Sequence, residues 1–89
     1  MAYDARNLSA LCYANGFTLW HYRTEDTAAE VDNSGYFNDA SRMLREGDFI
    51  LVNAGLGTAP QSGVMVVVAN SGGVVDVSNI TVFGSVNTD

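Results

Sequence analysis

Residues 16–52 decide the fold, and they read GFTLWHYRTEDTAAEVDNSGYFNDASRMLREGDFILV. Six of the nine aromatic residues of the chain lie in this stretch. Its pattern predicts a strand at 17–24, an acidic linker, a helix at about 36–45, a Gly-Asp turn and a strand at 49–53. No catalytic motif overlaps the stretch. It therefore indicates a compact core in a protein that binds rather than reacts.

The helix at 36–45 is predicted from spacing and from its end signals. Phe37, Ala40 and Leu44 would share one face of a helix. Gly47 is placed to end that helix in a left-handed conformation. The preceding acidic residues 25–32 fit either a loop or one turn of helix.

The N-terminal residues 1–15 are predicted to form an arm, extended or partly helical. Such an arm either packs on the domain or reaches a neighbouring molecule, and a frayed terminus is the alternative. Asn15-Gly16 is a turn signal that separates this arm from a single β-rich domain at 16–89.

The C-terminal half carries further strand signals. An apolar strand is expected at 64–69, followed by a hairpin connection at residues 70–73. In the last strand region, 74–86, the apolar phase changes across Ser78-Asn79, which predicts a β-bulge or a sharp bend.

The predicted fold class is mainly β, with one short α-helix and the N-terminal arm. A small β-barrel or sandwich is favoured because several strands are apolar on both faces and need cover on two sides. In a chain of 89 residues, part of that cover is expected from another subunit. Cys12 is the only cysteine, so no disulfide forms within the chain.

Charge and composition exclude several classes of partner. The formal net charge is −6, and all four basic residues are arginines. Such a chain lacks the basic footprint for nucleic acid or for an anionic membrane. No signal peptide and no membrane span is apparent, which predicts synthesis in a cytoplasm.

Two groups of side chains could form a reactive or a metal-binding site. Cys12 and His21 could act as nucleophile and base, but a cysteine and a strand histidine without catalytic context are favoured. Four carboxylates could hold a weakly bound calcium ion, but they do not match a calcium-binding loop, and a solvated acidic face is favoured; they are Glu25, Asp26, Glu30 and Asp32. No enzyme activity, metal or other cofactor is therefore expected.

The aromatic residues allow three interpretations. They could form a platform for carbohydrate or a protein interface, but aromatics in a small β protein more often belong to the core. The residues in question are Trp20, Tyr22, Tyr36 and Phe37.

Several motifs resemble those of short proteins encoded among the structural genes of tailed bacteriophages and prophages. The matching runs are FTLWHYRT at 17–24, GYFNDA at 35–40, and Leu44 followed by GDFI at 47–50. The group pattern is LW-x-Y-x-T, an acidic alanine-rich spacer, G-Y-F-x-x-A, L-x-x-G-D and a β-rich tail. The resemblance spans about residues 7–52, including the opening Asn7-Leu8-Ser9.

The resemblance implies a non-enzymatic component of a phage particle, most readily a capsid decoration (cement) protein. It would lie on the outer surface of the virion head, bind the major capsid protein and assemble as a trimer. The alternative is a head- or tail-fibre module that binds a host-surface glycan. The expected interface residues are Tyr3, Leu8, Leu11 and Tyr13 in the arm, with Val64, Val66 and Val68 in the later strand.

Overall fold

The computed structural model describes residues 2–86 and 88. Met1, Asn87 and Asp89, which the predicted ranges 1–15 and 16–89 include, lie outside the described residues. The mainly β fold with one short α-helix is confirmed. The elements are β1 (Leu8–Ala14), β2 (Phe17–Arg23), α1 (Ala28–Val31), β3 (Phe49–Ala54), β4 (Gln61–Ser71), β5 (Val74–Val77) and β6 (Thr81–Phe83).

The strands form one six-stranded sheet in the order β1-β2-β3-β4-β5, with β6 also paired to β4. All the pairs are antiparallel except β2 with β3, which is parallel. The described strands do not close into a barrel, nor do they split into a sandwich. The physical reason is the crossover that a parallel pair requires: residues 24–48 fold over one face and cover it without a second sheet.

Residues 8–14 form an edge strand, so the predicted arm packs on the domain. The connection to β2 is Asn15-Gly16, where both residues have positive φ, at 55° and 85°. Such a two-residue turn matches the right-handed twist of the flanking strands, and asparagine and glycine tolerate that backbone best. The predicted hairpin at 70–73 is also present, with β4 ending at Ser71 and β5 beginning at Val74.

The predicted break near Ser78-Asn79 separates β5 from β6. β5 ends at Val77 and β6 begins at Thr81, and both pair with β4. Across the break, Ser78 N–H donates to Val66 O at 2.8 Å, and Ser78 Oγ accepts from Val66 N–H at 2.9 Å. The serine side chain thus replaces one acceptor of the interrupted ladder.

The hydrophobic core lies between the sheet and the crossover 24–48. Trp20, Tyr22 and Phe37 are buried, as predicted for core aromatics. Tyr3 closes the cluster by stacking on Tyr22, with ring centroids 5.7 Å apart. The other core side chains are Ala28, Val31, Ala40, Leu44, Ile50, Val52, Ala54, Met65, Val67, Val75 and Val77.

The predicted helix at 36–45 was wrong. Phe37, Ala40 and Leu44 are buried as expected, but the backbone there consists of turns and a 3-10 helix at Asn38–Ala40. Asn70 of β4 supplies a donor to two carbonyls of this segment: its Nδ2 donates to Ser41 O at 2.7 Å and to Leu44 O at 2.6 Å. Successive turns can bury the same spacing of side chains that an α-helix buries.

The α-helix lies earlier, at Ala28–Val31, within the segment predicted as a loop or one helical turn. Thr27 and Glu30 form a capping box, in which each side chain accepts from the other residue's backbone N–H. These hydrogen bonds hold the pKa of Glu30 below its usual value.

A chain of hydroxyl groups links the N-terminal segment to a buried carboxyl group. Tyr36 Oη donates to Asp26 Oδ2 at 2.7 Å. Because the Tyr36 hydroxyl has a single proton, it accepts from Tyr22 Oη at 3.0 Å. Tyr22 Oη in turn accepts from Asp4 N–H at 3.0 Å. Asp26 is only 2% exposed, and its Oδ1 has no hydrogen-bond partner among the described residues. Burial, with the hydrogen bonds to Tyr22 and Asp26, raises the pKa of Tyr36 above its usual range.

We expect Tyr36→Phe to lower the free energy of unfolding by about 2 kcal/mol, because buried Asp26 then loses the partner of its Oδ2. Tyr13→Phe is the matched control, since Tyr13 is 62% exposed, and its effect should stay within about 0.5 kcal/mol. Urea unfolding followed by the fluorescence of Trp20 measures both. Equal losses in the two variants would contradict the role of the hydroxyl chain.

Candidate interaction face

The sheet has a second face that the described residues leave uncovered. We call it the open face and define it by six side chains of β2, β3 and β4: Phe17, Leu19, Phe49, Leu51, Val64 and Val66. The strand register brings them together, because Leu19 pairs with Phe49, Phe49 with Val66, and Leu51 with Val64. Residues directly opposite in a sheet point to the same side.

The open face is apolar and reachable from solvent. Phe17 and Phe49 are exposed, and the other four side chains are half-buried. The two phenyl rings meet edge to face with centroids 5.2 Å apart, a favourable arrangement for aromatic rings. A contiguous apolar patch of this kind marks an interaction site more often than scattered apolar residues do.

One end of the open face carries a row of polar side chains. Asn53 Nδ2 donates to His21 Nε2 at 2.8 Å, and Ser62 Oγ donates to Asn53 Oδ1 at 2.7 Å. Because Ser62 donates to the Asn53 amide oxygen, the amide nitrogen of Asn53 faces His21, and His21 Nε2 accepts its hydrogen bond. The row gives the apolar patch a defined polar border.

Charge is sorted between the two sides of the molecule. β1, β2, β3, β4 and β6 contain neither aspartate nor glutamate, and Arg23 is their only arginine. By contrast, the crossover 24–48 contains seven of the ten carboxylates and two arginines. The covered side is therefore acidic, whereas the open face is nearly neutral.

The predicted interface residues fall into three places. Val64 and Val66 belong to the open face, and Val68 is exposed on β4 next to the register shift between Val67 and Ala69. On β1, Leu11 and Tyr13 are exposed. The remaining two, Tyr3 and Leu8, pack against the chain's own core.

Sequence reasoning missed four open-face residues as interface candidates: Phe17, Leu19, Phe49 and Leu51. The signal was present, because strands with large side chains on both faces were expected to need cover from another subunit. The sequence did not show which face the crossover 24–48 covers. It covers the face of the sheet that carries Trp20 and Tyr22.

The structure does not bring Cys12 and His21 together as a nucleophile and base. Cys12 is exposed and lies opposite Leu19, whereas Ser9 lies opposite His21. Among the described residues, no three histidine, cysteine, aspartate or glutamate side chains are grouped so that they could hold a metal ion. Of the aromatics considered for a carbohydrate platform, Trp20, Tyr22 and Phe37 are buried and Tyr36 is partly buried.

A buried carboxylate that the sequence did not single out fixes β2 against the end of the crossover. Asp48 Oδ1 accepts from Thr18 N–H at 3.1 Å, and Oδ2 accepts from Trp20 Nε1–H at 3.1 Å and Arg45 N–H at 3.0 Å. Asp48 is 1% exposed. Its hydrogen bonds fix the position of β2, which carries Phe17, relative to the start of β3, which carries Phe49.

Comparison with known proteins gave no match to a protein-family model, a curated protein sequence or a solved structure. In the part of the chain that the structure describes, no helix has the length and apolar character needed to cross a membrane.

Proposed function

We propose that this chain is a non-enzymatic structural protein of a tailed-phage particle, a capsid decoration protein that attaches through its open face. The observation that carries the proposal is an apolar, carboxylate-free sheet face on a chain whose formal net charge is −6. The motif resemblance at about 7–52 supports a phage particle as the assembly. The partner is the outer surface of the shell that the major capsid protein forms.

The charge distribution supports this orientation. With the open face against the shell, the crossover 24–48 lies on the side away from the shell, and five of its seven carboxylates, all except the buried Asp26 and Asp48, reach solvent. The chain then removes apolar surface from water and buries no carboxylate at the contact, where an unpaired charge would be costly. Its acidic outer side keeps neighbouring particles from associating.

The open face alone is a small interface. Three strands about 4.8 Å apart, each contributing about six residues of 3.3 Å, present on the order of 300 Å². One partner of a standard protein interface contributes about 800 Å². A single copy is therefore expected to bind weakly, and attachment gains from several copies acting together.

The test is co-sedimentation with empty shells of the major capsid protein encoded in the same genome. We expect the wild-type chain to bind, and Phe49→Glu to raise the dissociation constant at least about tenfold, because the variant buries a charge in the contact. Met43→Glu is the matched control: Met43 is 45% exposed against 43% for Phe49, but it belongs to the crossover on the opposite side.

Two results would overturn the proposal. The first is a folded wild-type chain that shows no affinity for shells. The second is an equal loss of binding in Phe49→Glu and Met43→Glu, which would place the attachment surface elsewhere. Melting temperatures of the two variants, measured in parallel, separate loss of binding from loss of folding.

A further inference from the structure

The polar end of the open face forms one row across four strands. Arg23 of β2 pairs with Asn53 of β3, and Asn53 pairs with Ser62 of β4. On the far side of β4, Ser62 pairs with Phe83 of β6. Because paired residues point to the same side of a sheet, these four side chains border the open face, and we call them the end row. Asn53 is half-buried and the other three are exposed.

The end row offers hydrogen-bond donors that the described residues leave without an acceptor. The Asn53 amide is held in place, because its Oδ1 accepts from Ser62 and its Nδ2 donates to His21. An amide nitrogen carries two N–H groups, so Asn53 keeps a second donor that has no partner among the described residues. The guanidinium of Arg23, on the neighbouring strand, adds further N–H donors and a positive charge.

The charge of Arg23 has no counterpart on this side of the molecule. Among the described residues, the one ion pair joins Arg6 to Asp4, so no described carboxylate pairs with Arg23. Within the sheet, the single carboxylate is Asp76 of β5, which lies opposite Ala69, toward the other end of β4. Contacting protein surfaces are arranged so that a positive group meets a negative one. The missing negative charge is therefore expected on the partner.

We infer that the end row is a subsite for one carboxylate of the partner protein, bound by the guanidinium of Arg23 and the free N–H of Asn53. A planar guanidinium binds a planar carboxylate through two parallel N–H bonds, and Asn53 lies directly opposite Arg23. Exposed Phe83 ends the row with an apolar contact. The inference rests on the proposed attachment through the open face and names the chemistry that the partner presents there.

A single carboxylate fits this subsite better than the phosphates of a nucleic acid or a membrane. Those polyanions bind through several cations set close together. The six strands contain one arginine and no lysine, and the formal net charge of the chain is −6. One cation beside an apolar face instead matches an acidic side chain that lies next to apolar residues on a protein surface.

The first test is a nuclear magnetic resonance titration of the free chain with acetate at constant ionic strength. We expect saturable shifts of Arg23 Nε–H and of the Asn53 side-chain amide with one shared dissociation constant. Acetamide, the neutral analogue, should not reproduce them. Arg23→Gln should abolish the Asn53 shifts, whereas Arg42→Gln, at an exposed position of the crossover, should leave them unchanged. Equal shifts with acetamide, or an equal Asn53 response in the two variants, would overturn the inference.

The second test measures binding to empty shells. We expect Arg23→Gln to raise the dissociation constant about fivefold at low salt, and by less at high salt, which screens an exposed ion pair. Arg42→Gln should leave the constant unchanged. Equal effects of the two substitutions, or an Arg23→Gln effect that ignores salt, would count against the subsite. A wild-type chain that does not bind shells would overturn the proposed attachment instead, and the acetate titration would still decide whether Arg23 and Asn53 bind a carboxylate.

Discussion

Asp48→Ala is expected to lower the free energy of unfolding by about 4 kcal/mol, since three N–H donors lose their acceptor at once. Two of these donors, the backbone N–H of Thr18 and Nε1–H of Trp20, are buried, and the third is the backbone N–H of Arg45. The loss is a large share of the total, because a domain of this size is stabilised by roughly 5–10 kcal/mol.

The measurement is equilibrium unfolding in urea, monitored by the fluorescence of Trp20 and by far-ultraviolet circular dichroism. Glu46→Ala is the matched control because Glu46 is an exposed carboxylate two residues away. The loss of stability for Asp48→Asn should fall between those of Asp48→Ala and Glu46→Ala, since the asparagine amide keeps only one of the two acceptor oxygens. A loss below about 1 kcal/mol for Asp48→Ala would show that water replaces the carboxylate and that these bonds do not fix the strands.

Gly63→Ala is expected to lower the free energy of unfolding by about 3 kcal/mol through a steric clash. A Cβ at position 63 would clash with Thr81 O and would lie 2.8 Å from Ile80 Cγ1. The carbonyl belongs to the backbone of β6, so no change of rotamer relieves the contact. β6 must move away from β4, where Gly63 pairs with Val82.

Hydrogen exchange would locate this damage. We expect the amides of β6 and of its partners in β4 to lose protection in Gly63→Ala, while β1 and β2 keep theirs. Gln61→Ala is the control, as an exposed residue of the same strand. Unchanged protection of residues 81–83 would contradict the close approach of β6 to Gly63.

Local signals predicted much of the fold. The Asn15-Gly16 and Gly72-Gly73 turns, the alternation of β2 and the break after Val77 are each encoded within a few residues. The burial of Phe37, Ala40 and Leu44 was also predicted, because it depends on spacing alone. Their backbone conformation was not, since it depends on Asn70, which approaches from a distant strand.

The candidate interaction face was only partly predictable. Val64 and Val66 were expected at an interface, but which side of β2 faces out depends on the parallel pairing with β3. That pairing brings together residues separated by the whole crossover 24–48. No pattern within β2 or β3 records it, and the same is true of the bonds that Asp48 makes to Thr18 and Trp20.

The single parallel ladder, β2 with β3, separates two parts of the chain whose other strand pairs form between segments closer in sequence. β1 and β2 form one local hairpin, and β3 to β6 follow one another as antiparallel neighbours of β4. Among the described strands, only the β2–β3 ladder joins these two halves. It requires closure of the loop at 24–48, whose entropic cost rises with the logarithm of its length. Local pairing is kinetically accessible before such closure. The protein is thus a hairpin and a four-stranded antiparallel unit joined along one parallel ladder, across which Asp48 and the Asn53–His21 pair make side-chain hydrogen bonds.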